Sequence, residues 1–263
     1  MSEVAILGVG AFVHSYGDLD AWAQDARDES VEKPTGDLVP KRERRRASPL
    51  SRAMADAYRD ALGMAELEAS TVASVFGSAL GEASTMIALL DQMWDAKSPI
   101  SPMKFATSVH NAASGTISIA TQNRGYTTSI GADFDTSAMA LIEGIARVGA
   151  TGECVVICCG DEDPPPDLVP DGAGWSLMAA AVALGPLDSP SDRVMGRLGV
   201  PTLGDGPAEV PKARDVVLER NPSIGLLDLA TAVAQKEGKG ATVRVALDRG
   251  AGRGYASPLT RTA

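Results

Sequence analysis

Short runs of apolar and β-branched residues recur along this chain with helical patterns between them, and that alternation limits the possible folds more than any other feature. VAILGVGAF (4–12) reads as a buried strand, TVASVFGSAL (71–80) as the next, YTTSIGA (126–132) as a third and GECVVICCGDED (152–163) as a fourth. Between the first two, SPLSRAMADAYRDALGMA (48–65) places Leu50, Met54, Ala57, Tyr58, Ala61 and Leu62 on one helical face. Ser48 is suited to cap that helix and Pro49 to open its first turn. EASTMIALLDQMW (82–94), SVHNAASGTISIATQNRG (108–125) and FDTSAMALIEGIARVGA (134–150) predict three more helices, the second ending at Gly125 in a left-handed cap. Strands buried on both faces and joined through helices imply an α/β protein with a parallel sheet.

GAGWSLMAAAVALGPL (172–187) follows the fourth strand without an intervening helix, so it is expected to pair antiparallel at the sheet edge. The expectation is a mixed five-stranded sheet, four parallel strands plus one antiparallel edge strand, covered by helices on both faces. Residues 1–187 form this domain. Residues 188–263 read as an irregular extension, rich in proline at first, with one helix (SIGLLDLATAVAQKEGKG), one strand (ATVRVALDRG) and a frayed end, packed on the same domain.

A formal charge of −10 disfavours nucleic acid as a partner. The chain lacks the run of about eighteen apolar residues that a membrane span requires. An acidic residue near the N-terminus, without a small-residue cleavage pattern after it, points to the cytoplasm. Cys154, Cys158 and Cys159 crowd one apolar run, which fits buried thiols in a reducing compartment better than a disulfide framework.

Several segments invite a functional reading. GVGAFV (8–13) begins like a dinucleotide-binding fingerprint, but Val13 occupies the third glycine position, so a tight turn after a buried strand is favoured over a nicotinamide site. The only histidines are His14 and His110, at no zinc-binding spacing, so no metal or cofactor is expected. His110 stands at a helix start, where it packs or bonds a carbonyl; its alternative role is a catalytic base. FGSALGE has its glycines in the wrong register for a serine nucleophile elbow. In SIGADFDTSAMALIEG (129–144), Asp133 and Asp135 precede a helix, where a carboxylate accepts backbone N–H bonds and complements the dipole without catalysis. The run KRERRR (41–46) is basic in an acidic chain; it is either a solvated loop or a contact for an acidic partner through Arg42, Arg44, Arg45 and Arg46.

Taken in order, these pieces resemble the N-terminal half of a beta-ketoacyl synthase, a member of the thiolase-fold superfamily. The resemblance covers residues 3–187. VAILGVGAF is similar to the family's first strand, RRRASPLSRAMADAYRDAL to its arginine-led helix start, and VASVFGSALGE to its second strand with a Phe-Gly-Ser turn. SVHNAASGTISIATQNRG resembles the Asn-x-x-x-Gly helix, and GECVVICCGDED and DGAGWSLMAAAVALG the later strands.

The resemblance implies a thiolase-like half and a site after the third strand. There a Thr-Ala-Cys-x-Ser turn in the family holds the cysteine that accepts an acyl chain. Aligned on Gly125 and on Thr136–Ser137, that position falls at Phe134, or at Asp133 if the register slips by one. Neither forms a thioester, and the family's two later histidines have no counterpart here. The implied role is a non-catalytic, chain-length-factor-like protein in fatty-acid, polyene or polyketide-type assembly. It would pair with a ketosynthase or with itself through residues 105–131, with acyl carrier protein as a further contact and Phe134 bounding the acyl cavity. The alternatives are an enzyme acting on an acyl thioester through His110, with Asp133 or a cysteine, and a nicotinamide-dependent oxidoreductase.

Overall fold

The computed structural model describes residues 3–169, 174–204, 207–211, 214–235 and 240–262. Its strands are β1 (Glu3–Val13), β2 (Ala73–Gly77), β3 (Thr127–Ile130), β4 (Val155–Asp161), β5 (Met178–Gly185), β6 (Gly196–Gly199), β7 (Thr202–Leu203), β8 (Thr242–Ala246) and β9 (Tyr255–Arg261). The helices are α1 (Leu19–Ala23), α2 (Lys41–Arg44), α3 (Pro49–Ala65), α4 (Ala83–Trp94), α5 (Pro102–Ala106), α6 (Ala112–Ala120), α7 (Thr136–Thr151) and α8 (Ile224–Ala234).

The described strands form one sheet in the order β3-β2-β4-β5-β1-β6-β9-β7, with β8 paired to β9. The β2–β3 and β2–β4 pairs are parallel, whereas β5 runs antiparallel to both β4 and β1. The α/β class and the helices on both faces are as expected: α3 and α6 pack on one face, α7 and α8 on the other. Two details differ. The sheet has more than five strands, and β5 lies at its centre instead of its edge. The reason is composition: every residue of Met178–Gly185 is buried, and a strand without a polar face is stable only with neighbours on both sides and helices above and below. Beyond residue 187 the chain supplies α8 and β6–β9, and the segment read as frayed is β9, hydrogen-bonded to β6, β7 and β8.

The GVG motif also takes a form the sequence did not suggest. No turn occurs there, because β1 runs through Gly8 and Gly10 to Val13. A Cβ on Gly8 would lie 2.4 Å from the Ala61 carbonyl oxygen, and one on Gly10 would lie 2.3 Å from that of Ala57. A register shift between Ile6 and Gly8 lets α3 meet the strand at these two bare positions. The glycines therefore permit close helix–strand contact, and no helix N-terminus follows them to receive a pyrophosphate.

α3 starts as its sequence predicts. The Ser48 side chain accepts from the Ser51 N–H, and Pro49 occupies the first turn. Its buried face includes Leu50, Met54, Tyr58 and Leu62, each contributing about 1.5–3 kcal/mol on leaving water. The Tyr58 hydroxyl shares a 2.8 Å bond with Ser74 Oγ on β2. The expected glycine cap of α6 is absent: its C-terminal turn places Gln122, not Gly125, at positive φ. Gly125 is needed for another reason, since a Cβ there would lie 2.3 Å from the Thr71 carbonyl oxygen.

Candidate functional site

In an open α/β sheet, ligands gather beyond the carboxyl ends of the strands. Here that end collects the turns after β2, β3 and β4. The turn after β3 is the position marked by the sequence. Ala132 leads into a single turn of tight helix, Asp133–Asp135, and then α7. Asp133 is exposed and has φ +52°, a left-handed conformation uncommon for a side-chain-bearing residue. The Thr136 hydroxyl closes the turn by donating to the Asp133 carbonyl at 2.6 Å and accepting from the Ala132 N–H at 3.0 Å.

Phe134 is half-buried, its ring edge-on to Trp175 at a centroid distance of 6.4 Å. Asp135 is buried and points the other way. It accepts from the Arg253 backbone N–H at 2.9 Å and from Arg253 Nε at 2.6 Å. Residues 132–135 and 251–253 together line an open groove of about 610 Å³. The pair of aspartates expected at the helix start is thus divided, one facing solvent and one locked to the C-terminal segment.

His110 lies close to this turn but has another partner: its Nε2 is 2.8 Å from the Ser78 carbonyl oxygen. Glycines flank the ring, for a Cβ on Gly131 would lie 2.9 Å from Nε2 and one on Gly81 would lie 3.0 Å from the His110 Cα. The ring tethers the end of β2 to the start of α6.

The turns after β2 and β4 are joined by Asp161, a residue that sequence reasoning missed. Its Oδ1 accepts from Ser78 Oγ at 2.8 Å and from the N–H groups of Ala79 and Leu80 at 2.8 and 3.1 Å. Its Oδ2 accepts from Ser223 Oγ at 2.7 Å, just ahead of α8. Complete burial pushes its pKa up, while these donors oppose the shift. The signal available in the sequence was an acid terminating a wholly apolar strand, GECVVICCGD.

The cysteines are elsewhere. Cys158 and Cys159 are buried within β4, and burial raises both thiols well above their ordinary range. Cys154 is half-buried at the opposite end of that strand, and its thiol is also shifted upward by desolvation. Cys159 Sγ and the Thr136 methyl both crowd Gly77, but this thiol is closed off from solvent. Among the described residues, no cluster of three or more His, Cys, Asp or Glu side chains could hold a metal ion, and no helix is long and apolar enough to cross a membrane.

The basic run is divided by the fold. Arg44 is held internally, with Nε on the Val39 carbonyl at 3.2 Å and the guanidinium on the Thr35 carbonyl and the Asp37 carboxylate. Lys41, Arg42, Arg45 and Arg46 are exposed around it. A second surface feature surrounds β3, whose four residues are only half-buried at the end of the sheet. α6 packs beside it, and the segment from α4 to α6 exposes Met86, Leu90, Met93, Trp94, Met103, Phe105 and Ile119, with Trp94 76% and Ile119 70% accessible.

Comparisons with known proteins agree with this architecture. The fold matches a structure of the ketosynthase ApeO in complex with its chain length factor ApeC from Xenorhabdus doucetiae, with a TM-score of 0.69 and 19% identity over 99% of this chain and 100% of that one. It matches the ishigamide ketosynthase/chain length factor with a TM-score of 0.71 and 14% identity over all of both chains. It also matches AntDE:AntF, a type II polyketide synthase carrier protein in complex with its ketosynthase bound to the hexaketide. There the TM-score is 0.71 and the identity 12%, over 100% of this chain and 99% of that one. Comparison with curated protein sequences gives no match. The sequence profile of the beta-ketoacyl synthase N-terminal domain matches residues 20–192. By that match, supported by a thiolase-like layered sheet, the chain belongs to the beta-ketoacyl synthase N-terminal domain family.

Proposed function

We propose that the chain is a non-catalytic, chain-length-factor-like partner of a ketosynthase in fatty-acid, polyene or polyketide-type chain assembly. The observation that carries this reading is the turn after β3, where an exposed aspartate and a half-buried phenylalanine stand in place of a thiol. Asp133 is exposed with a left-handed backbone and Phe134 is half-buried beside it, so either register leaves the turn without a thiol. A carboxylate attacking a thioester would give a mixed anhydride, which is less stable than the thioester and returns the acyl group. The neighbouring hydroxyls offer no substitute, since Thr136 is occupied within the turn and Ser137 is fully buried. Without a nucleophile, transition-state stabilisation has no covalent intermediate to act on.

The open edge of β3 and the exposed apolar side chains of α4 to α6 support the pairing role. Unpaired strand edges and large apolar patches are costly in water and mark surfaces that a partner covers. The structures matched above include a ketosynthase in complex with its chain length factor, which supports a ketosynthase subunit as the partner for this face. Lys41, Arg42, Arg45 and Arg46 supply a basic strip for an acidic carrier protein, with Arg44 fixing its orientation. The enzyme reading through His110 has less support, because the ring nitrogen nearest the turn is bonded to Ser78. The nicotinamide reading has lost the loop on which it rested.

The test is co-expression with a candidate ketosynthase, followed by size-exclusion chromatography with light scattering. A stable heterodimer that Trp94→Glu or Ile119→Glu weakens is expected; a chain that remains alone with every candidate would contradict the reading. Charge reversal of Arg42, Arg45 and Arg46 is expected to weaken carrier-protein binding tenfold or more at low salt and much less at high salt.

A further inference from the structure

Glu82 stands between Gly81 and α4 and is 2% exposed. Its Oε1 accepts from Ser48 Oγ at 2.7 Å and from Ser51 Oγ at 2.9 Å, both in the first turn of α3. Its Oε2 is buried without a hydrogen-bond partner. The charged group that faces it is another carboxylate, Glu162 at the end of β4, which accepts from the Ser84 N–H in the first turn of α4 at 2.8 Å. From α3 it meets only the two uncharged serines. This carboxyl therefore ties the residue that leads into α4 to the start of α3, just after the basic run, with the Glu162 carboxylate at the end of β4 facing it.

We propose that Glu82 is a proton-operated joint that holds the starts of α3 and α4 together when neutral and loosens them when ionised. In the neutral acid, Oε1 satisfies the two serines and Oε2 carries the proton, so no uncompensated charge is buried. Loss of that proton places a negative charge beside Glu162 on an oxygen with no donor, and the junction gains by opening to water. Burial works in the same direction, raising the carboxyl to about 7, with the two serine bonds opposing. The ordinary value is 4.5, so the closed junction binds the proton more tightly than the open one. Closure is then strongest below pH 4.5, weakens through the interval up to about 7, and stops weakening above it. The joint acts within this chain and needs no partner, so it stands or falls separately from the pairing role.

Amide hydrogen exchange of residues 48–52 and 82–86, corrected for intrinsic chemical exchange, tests the joint on the full chain. Between pH 5 and 7 the opening constant is expected to rise about tenfold per pH unit and then level off, while Glu82→Gln removes the pH dependence. A parent profile that is flat, or one that Glu82→Gln leaves unchanged, overturns the proposal. Carbon-13 NMR of the glutamate carboxyls in the parent decides the matter even if the variant does not fold. A buried carboxyl titrating near 7 supports the joint, and the absence of any glutamate titrating above about 5 overturns it.

Discussion

The turn after β3 and the junction of β2 with β4 lie at the same end of one sheet and are built in opposite ways. At the junction, the Asp161 carboxylate is buried and holds four donors from two segments of chain, residues 78–80 and Ser223. At the turn, the Asp133 carboxylate is exposed, its backbone is left-handed, and the bonds that close the loop come from Thr136. One acid maintains the scaffold. The other stands at the turn that the proposed function reads as the nucleophile position. The difference shows that one end of the sheet carries both a carboxylate that ties segments together and one left free at a strained turn.

The sharpest way to break this comparison is Asp161→Ala. It strands two hydroxyls and two backbone N–H groups in the interior, so a loss of about 3–5 kcal/mol is expected in urea unfolding. A loss below about 1 kcal/mol would remove the structural contrast. Next in size is the pH dependence contributed by Glu82 beside the junction. Its folded value is raised, so its contribution to stability is full below the unfolded value of 4.5 and is lost as pH rises through about 7. The difference amounts to about 3 kcal/mol and should vanish in Glu82→Gln.

Most of the scaffold was legible in the sequence because it is local. Ser48 and Pro49 announce α3, the apolar spacing announces its buried face, and the cysteine-rich run announces β4. The position of β5 was legible only in part: its lack of a polar face argues against an edge, but which strands flank it is decided by long-range pairing. The glycines of β1 were misleading for a related reason. A glycine that leaves no room for a Cβ beside a helix backbone and one that makes a turn have the same sequence, and only the partner, Ala57 or Ala61 on α3, distinguishes them. Of the site, the carbonyl bond to His110 was legible, whereas the left-handed backbone at Asp133 was not, since it depends on how the turn closes through Thr136. Asp161 and Glu82 escaped notice because their partners come from distant segments.

Smaller effects sharpen the contrast. His110→Ala removes one bond to Ser78 and is expected to cost about 1 kcal/mol while leaving ketosynthase pairing in place. Loss of pathway output with pairing retained would revive its reading as a base. Asp133→Gly relieves a left-handed residue and should stabilise by about 0.5–1 kcal/mol, measured as a raised unfolding midpoint. The same exchange at Phe134, which packs on Trp175, should destabilise. Cysteine scanning of the turn tests the register directly: Asp133→Cys should react with a thiol reagent faster than Phe134→Cys.

The most direct test is the intact mass of the chain after incubation with acyl thioester and acyl-carrier-bound substrate, alone and in complex with a ketosynthase. An unchanged mass for this chain is expected, with any acyl group found on the partner. A stoichiometric acyl adduct on this chain that survives denaturation would contradict the account.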